Sequence, residues 1–307
     1  MRASVSMSVF LIAAAAVAGD THKVVHGWPR MPDGFAFQEV SGVGADSHGH
    51  VFVFHRGARP LMCFEGASGN VVTSWGDGLL PRAHGLAVDG KDNVWVTDIA
   101  NHQVYKFNHG GELLMVLGKK GVPGLGPEHF NMPTDIAIAP NGDFYVSDGY
   151  GNNRVVKYNA QGQFITEWGA KGSAPGEFDL PHGIAADGDG RVYVADRANG
   201  RVQVFEANGK FIAQWKSDEI GRPWDVQVGP DGKVYVVDGG DLKPQPPDRG
   251  RVVILDKTGR KLGQFGRFGS YDGQFYWAHA VDVARTGEVY VSDVFKGMRV
   301  QKFVPVQ

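Results

Sequence analysis

Short runs in which apolar and polar residues alternate recur along the chain after residue 20, separated by clusters of Gly, Asp and Asn. Period-two alternation with aromatic and β-branched residues on one set of positions predicts antiparallel strands. Four such runs make a set, and the set recurs six times, 42 to 55 residues apart. The first run reads SGVGAD (41–46), HGLAVD (84–89), TDIAIA (134–139), HGIAAD (182–187), WDVQVG (224–229) and HAVDVA (279–284). A Gly/Asp-rich turn follows, then a second run: HVFVFH, NVWVTD, DFYVSD, RVYVAD, KVYVVD or EVYVSD. A third run (QVYKF, RVVKY, RVQVF, RVVIL, RVQKF) leads to a fourth that ends in a Trp-Gly or similar signal, as in VVTSWG and FITEWG. No segment after residue 20 carries a helical period.

Six copies of four strands predict an all-β fold, a six-bladed β-propeller. The sixth copy stops at QKFVPVQ without its fourth strand, and the segment THKVVHGW (21–28) precedes the first copy. That N-terminal strand can complete the last blade, which joins the two ends of the chain and removes an exposed edge. Residues 19–307 then form one domain. Ahead of it, one Arg precedes an apolar run that ends in Ala16-Val17-Ala18, a small-residue cleavage pattern. Residues 1–18 read as a secretory signal, which predicts a secreted or periplasmic protein; the run is too short to span a bilayer comfortably.

Composition narrows the partners. The net charge of −2 offers no broad basic field, so no nucleic acid is expected. Cys63 is the only cysteine, so an intrachain disulfide is ruled out. No other segment is suited to cross a membrane, and the mature chain is expected to be a monomer.

The repeat register carries the chemistry. His84, His182 and His279 open the first strand in every second copy. Six-fold geometry sets them on the axis about 120° apart. Three inward imidazoles with a fourth position open are the donor set of a catalytic metal site, with zinc favoured. The other three slots hold Ser41, Thr134 and Trp224. Strand order puts the histidines on the same face as the loops that follow the second strands, which contain Arg56, His102, Tyr150 and Arg197. Tyr150 can serve as a general base, and Arg56 can hold a carboxylate through its planar fork. The plainer readings are a salt bridge or loop bond for Arg56 and a packed rim aromatic for Tyr150. His55, His102, Asn152, Asn153 and Arg154 are weaker candidates that shape loops. Asp98, Asp148, Asp196, Asp238 and Asp293 end the second strand in five copies, which argues for a repeated structural bond. Phe130, Phe178 and Phe275, in the long inter-blade connections, are expected to plug gaps between blades.

At these residues the chain resembles an NHL-repeat propeller, and specifically the peptidyl-α-hydroxyglycine α-amidating lyase family. The pieces that carry the resemblance are VSGV and FHRG within 40–57, HGLAVDGKDNVWVTDIANHQVYKF (84–107), PTDIAI and FYVSDGYGNNRVVKY within 133–158, GQFITEWG (162–169), and LPHGIAA with VYVADRANGRVQVF within 180–205. The resemblance implies zinc on His84, His182 and His279. It places the family's substrate arginine on Arg56, its catalytic tyrosine on Tyr150 and a further pocket arginine on Arg197. It implies cleavage of a peptidyl-α-hydroxyglycine, or a similar small-molecule hemiaminal, to an amide and glyoxylate. Two departures stand out. The animal enzymes have paired cysteines, one of them just after the catalytic Tyr, where this chain has Gly151. Their structural calcium uses backbone carbonyls that match Val43 and Leu86 plus an acidic residue directly after the third His. That residue is Ala280 here, so the calcium set is incomplete, although Asp282 lies close in sequence. The alternative is a non-catalytic secreted NHL propeller that binds a protein or peptide partner. A calcium-dependent lactonase-like hydrolase ranks last, because that chemistry needs axial oxygen ligands where this chain has imidazoles.

Overall fold

The computed structural model describes residues 19–241 and 249–306. The segment read as a secretory signal, residues 1–18, lies outside the described residues. The alternating runs form six antiparallel four-stranded sheets, each built from consecutive strands except the last. Blade 2 is representative, with strands Ala83–Val88, Val94–Asp98, Gln103–Phe107 and Leu113–Leu117. Its second strand is buried throughout and its fourth alternates between half-buried and exposed. This gradient follows from the architecture. A middle strand has a neighbouring blade on both faces, whereas the outermost strand faces solvent along one edge. Apolar side chains from adjacent blades interdigitate to make the core, as where Phe52, Phe54 and Leu61 of blade 1 meet Val94, Val96 and Tyr105 of blade 2. Phe130, Phe178 and Phe275 are fully buried in such inter-blade clusters, as plugs.

Blade 6 closes the ring as the sequence predicts. Strands Ala278–Val283, Val289–Asp293 and Arg299–Pro305 are completed by His22–Val24 from the other end of the chain. His22 pairs with Pro305 and Val24 with Phe303. No helix among the described residues is long and apolar enough to cross a membrane.

The aspartates that end the second strands fix the loops of the histidine-bearing face. Asp148 accepts from Asn131 N–H, Asn152 Nδ2 and Arg154 Nε; Asp196 accepts from Asp179 N–H, Asn199 Nδ2 and Arg201 Nε. Asp98 takes the N–H groups of Arg82, Ala100 and Asn101. Asn152 and Arg154 are thereby committed to loop structure, as is Asn153, whose Oδ1 accepts from Leu180 N–H. In blade 1 the same place is taken by His55, a buried ring that donates through Nε2 to Arg59 O and accepts Gly57 N–H at Nδ1. Burial lowers its pKa to about 4, which keeps it neutral.

Candidate metal centre

A β-bulge interrupts the first strand of each histidine-bearing blade at the histidine itself. In blade 2, Ala83 pairs with Asp98 and Leu86 with Val96, which leaves one extra residue at His84-Gly85. Blades 4 and 6 repeat the pattern at His182-Gly183 and His279-Ala280. A bulge re-aims side chains out of the regular alternation, and here it turns three imidazoles towards the axis. Their ring centroids are 4.8 to 4.9 Å apart, and one nitrogen from each lies within 4.8 Å of the others. One ion can therefore be held by all three.

The three remaining slots supply the support. His84 Nδ1 lies 2.6 Å from Thr134 O, His182 Nδ1 2.6 Å from Trp224 O, and His279 Nδ1 2.7 Å from Ser41 O. A carbonyl can only accept, so each Nδ1 carries the proton and each Nε2 presents a lone pair. This is the outer-shell arrangement that orients metal-binding histidines. Burial, first, and nearby arginines, second, push the pKa of His84 down to about 3. Burial likewise holds His182 and His279 well below the usual histidine range. All three rings are thus neutral donors near pH 7.

Tyr150 stands directly over the ring nitrogens. Its Oη is 3.0 Å from His84 Nε2 and 3.2 Å from His182 Nε2, so it is no packed rim aromatic. Arg197 is 5% exposed, stacks on Trp224 with its guanidinium carbon 3.6 Å from the ring centroid, and reaches Tyr150 Oη at 3.5 Å. Among the described residues no carboxylate pairs with it, so this buried cation is available to an anion. Arg56 is differently placed. It forms an ion pair with Glu39, Nη1 to Oε2 2.6 Å, and its Nε donates to Ala83 O at 3.2 Å. The salt-bridge and loop-bond reading of Arg56 therefore holds, yet the residue still lines the cleft. That cleft, of about 670 Å³, is bounded by Glu39, Arg56, Arg82, Tyr150, Arg197 and Trp224 beside His279. Its size suits a small organic ligand, and three arginines against one glutamate suit an anionic one. His102 borders the cleft but uses Nδ1 to accept Met132 N–H.

Sequence reasoning missed Glu39 and the role of Trp224, because neither pairing is encoded in the local pattern. It also missed two carboxylates that lie beside the triad, Asp135 and Asp225. Burial is the main reason that Asp135 lies well above the usual carboxylate range, Asp225 at about 7 and Asp282 at about 6. They do not assemble the calcium set implied by the resemblance. Ala280 has no side-chain oxygen to complete the carbonyls of Val43 and Leu86. Asp282 is committed to Ala45 N–H at 2.7 Å and Gln227 Nε2 at 3.0 Å.

Glycine after His84 is a steric requirement. A Cβ at Gly85 would lie 2.6 Å from Thr134 O and 2.6 Å from Asp135 Cα, both backbone atoms of the next blade. Gly85→Ala must displace the carbonyl that orients His84. The expected result is metal affinity about 10- to 100-fold weaker, the usual cost of a lost outer-shell partner, measured by competition with a chromogenic chelator. Unchanged affinity would detach the carbonyl from the site.

Comparison with known proteins agrees with the repeat fold. The NHL-repeat family profile matches residues 130–158 and 178–205. Peptidyl-glycine alpha-amidating monooxygenase A of Xenopus laevis is 37% identical over 300 residues, covering 87% of this chain and 32% of that one. The chain thus spans about a third of that relative's length. Peptidyl-alpha-hydroxyglycine alpha-amidating lyase 1 of Drosophila melanogaster is 32% identical, covering 93% of this chain and 60% of that one. Human NHL repeat-containing protein 3 is 31% identical, covering 95% of this chain and 87% of that one. Among solved structures, a streptogramin B lyase aligns with a TM-score of 0.60 at 15% identity, covering 89% of this chain and 85% of that one. A gluconolactonase from Xanthomonas campestris aligns with a TM-score of 0.64 at 14% identity, covering 94% and 96%. At such identities these two structures speak to the fold alone.

Proposed function

The chain belongs to the NHL-repeat family of β-propellers, and from that membership we propose that it is a zinc-dependent lyase that cleaves the C–N bond of a peptidyl-α-hydroxyglycine-like hemiaminal to an amide and glyoxylate. The observation that carries this reading is the convergence of Tyr150 Oη on two imidazole nitrogens of the axial triad beside an anion-seeking Arg197. The similarity to amidating lyases supports it.

His84, His182 and His279 fit zinc: three neutral imidazoles, each with its tautomer fixed for coordination through Nε2. When bound there, zinc supplies a Lewis acid with a position open to substrate oxygen. The chain's own groups do the rest. Arg197 and Arg56 receive the substrate carboxylate, Arg197 as the buried anchor and Arg56 from the rim, held in place by Glu39. Tyr150 Oη takes the proton of the α-hydroxyl. The O–H electron pair becomes the second bond of the glyoxylate carbonyl, and the C–N pair leaves on the amide nitrogen. Tyr150 Oη gives its own phenolic proton to that nitrogen as it takes the hydroxyl proton, so the residue ends as it began and atoms and charge balance.

The mature protein is proposed to act as an exported monomer, secreted or periplasmic, on a small-molecule or peptide substrate. The competing reading is a non-catalytic propeller that binds a protein or peptide. It draws on the match across most of both chains to NHL repeat-containing protein 3, a name that specifies no reaction. Product analysis separates the two. Incubation with α-hydroxyhippurate is expected to give benzamide and glyoxylate in equal amounts by NMR. Recovery of unchanged substrate from zinc-loaded protein would favour the binding propeller.

A further inference from the structure

We propose a second site for a divalent transition metal, zinc first, on the face opposite the cleft, where Asp46, His50 and His109 clip blade 1 to blade 2. Asp46 and His48 occupy the turn between the first two strands of blade 1, Val40–Ala45 and His50–His55, and His50 opens the second. His109 occupies the turn between the last two strands of blade 2. The three donor atoms form a closed triangle. Asp46 Oδ2 is 3.0 Å from His50 Nδ1 and 2.8 Å from His109 Nε2, and the two nitrogens are 3.2 Å apart. Ligand atoms at 2.0–2.1 Å on a tetrahedral zinc lie about 3.3 Å from one another, so a small outward movement of the two half-buried rings admits the ion.

The anchor is already rigid. The Asp46 side chain is fully buried, and its Oδ1 accepts the N–H groups of His48 and His50, which aims Oδ2 at the imidazoles. A further donor stands beside the triangle. His48 Nδ1 is 3.8 Å from Asp46 Oδ2 and 3.3 Å from Asp92 Oδ2. Two or three imidazoles with a carboxylate suit zinc, nickel or copper(II), and not calcium or magnesium.

The corresponding junction between blades 4 and 5 indicates what an ordinary contact looks like here. There Asp187, Asp189 and Arg191 stand where Asp46, His48 and His50 stand in blade 1, and Lys257 takes the place of His109. Lys257 Nζ simply bridges Asp187 at 3.2 Å and Asp189 at 2.6 Å. One cation suffices to join two turns. At the blade 1–2 junction every one of these variable positions is an imidazole, the side chain that holds a metal where lysine holds only an anion. A bound ion would cross-link turns of two blades beside the closing blade, and so stabilise the folded ring increasingly as free zinc rises.

This site does not rest on the lyase reading, and its test separates the two. Zinc content after equilibrium dialysis against micromolar free zinc is to be measured for the full-length mature protein, His109→Ala, His50→Gln and His182→Ala. The expected result is one equivalent fewer in both His109→Ala and His50→Gln than in wild type, with this equivalent retained in His182→Ala. The zinc-dependent rise in Tm should shrink in the first two variants. If one of them fails to fold, the other decides. Zinc content equal to wild type in the folded variants, or a difference that emerges only at millimolar zinc, would overturn the proposal.

Discussion

Tyr150→Phe is expected to lower kcat for α-hydroxyhippurate cleavage by about 10²- to 10⁴-fold, the range that a positioned proton-transfer group contributes, with KM changed little. The substitution removes one oxygen atom and leaves the ring where it is. The three imidazoles keep their own supports, Thr134 O, Trp224 O and Ser41 O, so metal content is expected to stay at the wild-type level. Arg197 also keeps its stack on Trp224. A loss confined to kcat with metal retained identifies Tyr150 as the group that moves the proton. A comparable loss of metal would instead make it a prop for His84 and His182.

His182→Ala is expected to have the other large effect, loss of the axial metal together with activity reduced to background. Removing an imidazole takes away one of three ligands, and the cost should exceed the 10- to 100-fold that an outer-shell partner carries. The stability effect should be modest by comparison. His182 is neutral in its buried place and its Nδ1–H has one partner, Trp224 O, which the change leaves without a donor. Metal content and the glyoxylate rate should therefore fall together while the thermal transition stays cooperative. Activity that survives full loss of the axial metal would remove zinc from the mechanism.

Much of this site was legible because a propeller converts sequence register into angular position. Once HGLAVD, HGIAAD and HAVDVA were aligned as first strands, the meeting of His84, His182 and His279 followed from six-fold geometry. The face shared with Tyr150 and Arg197 followed from strand order. Closure by the N-terminal strand was legible from a missing fourth strand. What the pattern did not reveal depends on contacts between blades. Ser41, Thr134 and Trp224 looked like slots without ligands, yet their carbonyls hold the imidazoles; a backbone acceptor leaves no mark in side-chain identity. The Glu39–Arg56 pair joins the approach to one strand to the end of another, and Glu39 lies outside every repeat signal. The bulges that aim the histidines are defined by pairing register alone.

The central claim is that zinc at the axial triad makes this propeller a lyase. The most direct measurement is the initial rate of glyoxylate release from α-hydroxyhippurate by protein stripped with a chelator, then titrated with zinc in the His109→Ala background, where the triad is the remaining proposed site. The account predicts no turnover above the uncatalysed rate when stripped and full recovery at about one zinc per chain. Turnover that persists in the stripped protein, or none in the zinc-loaded protein, would contradict it.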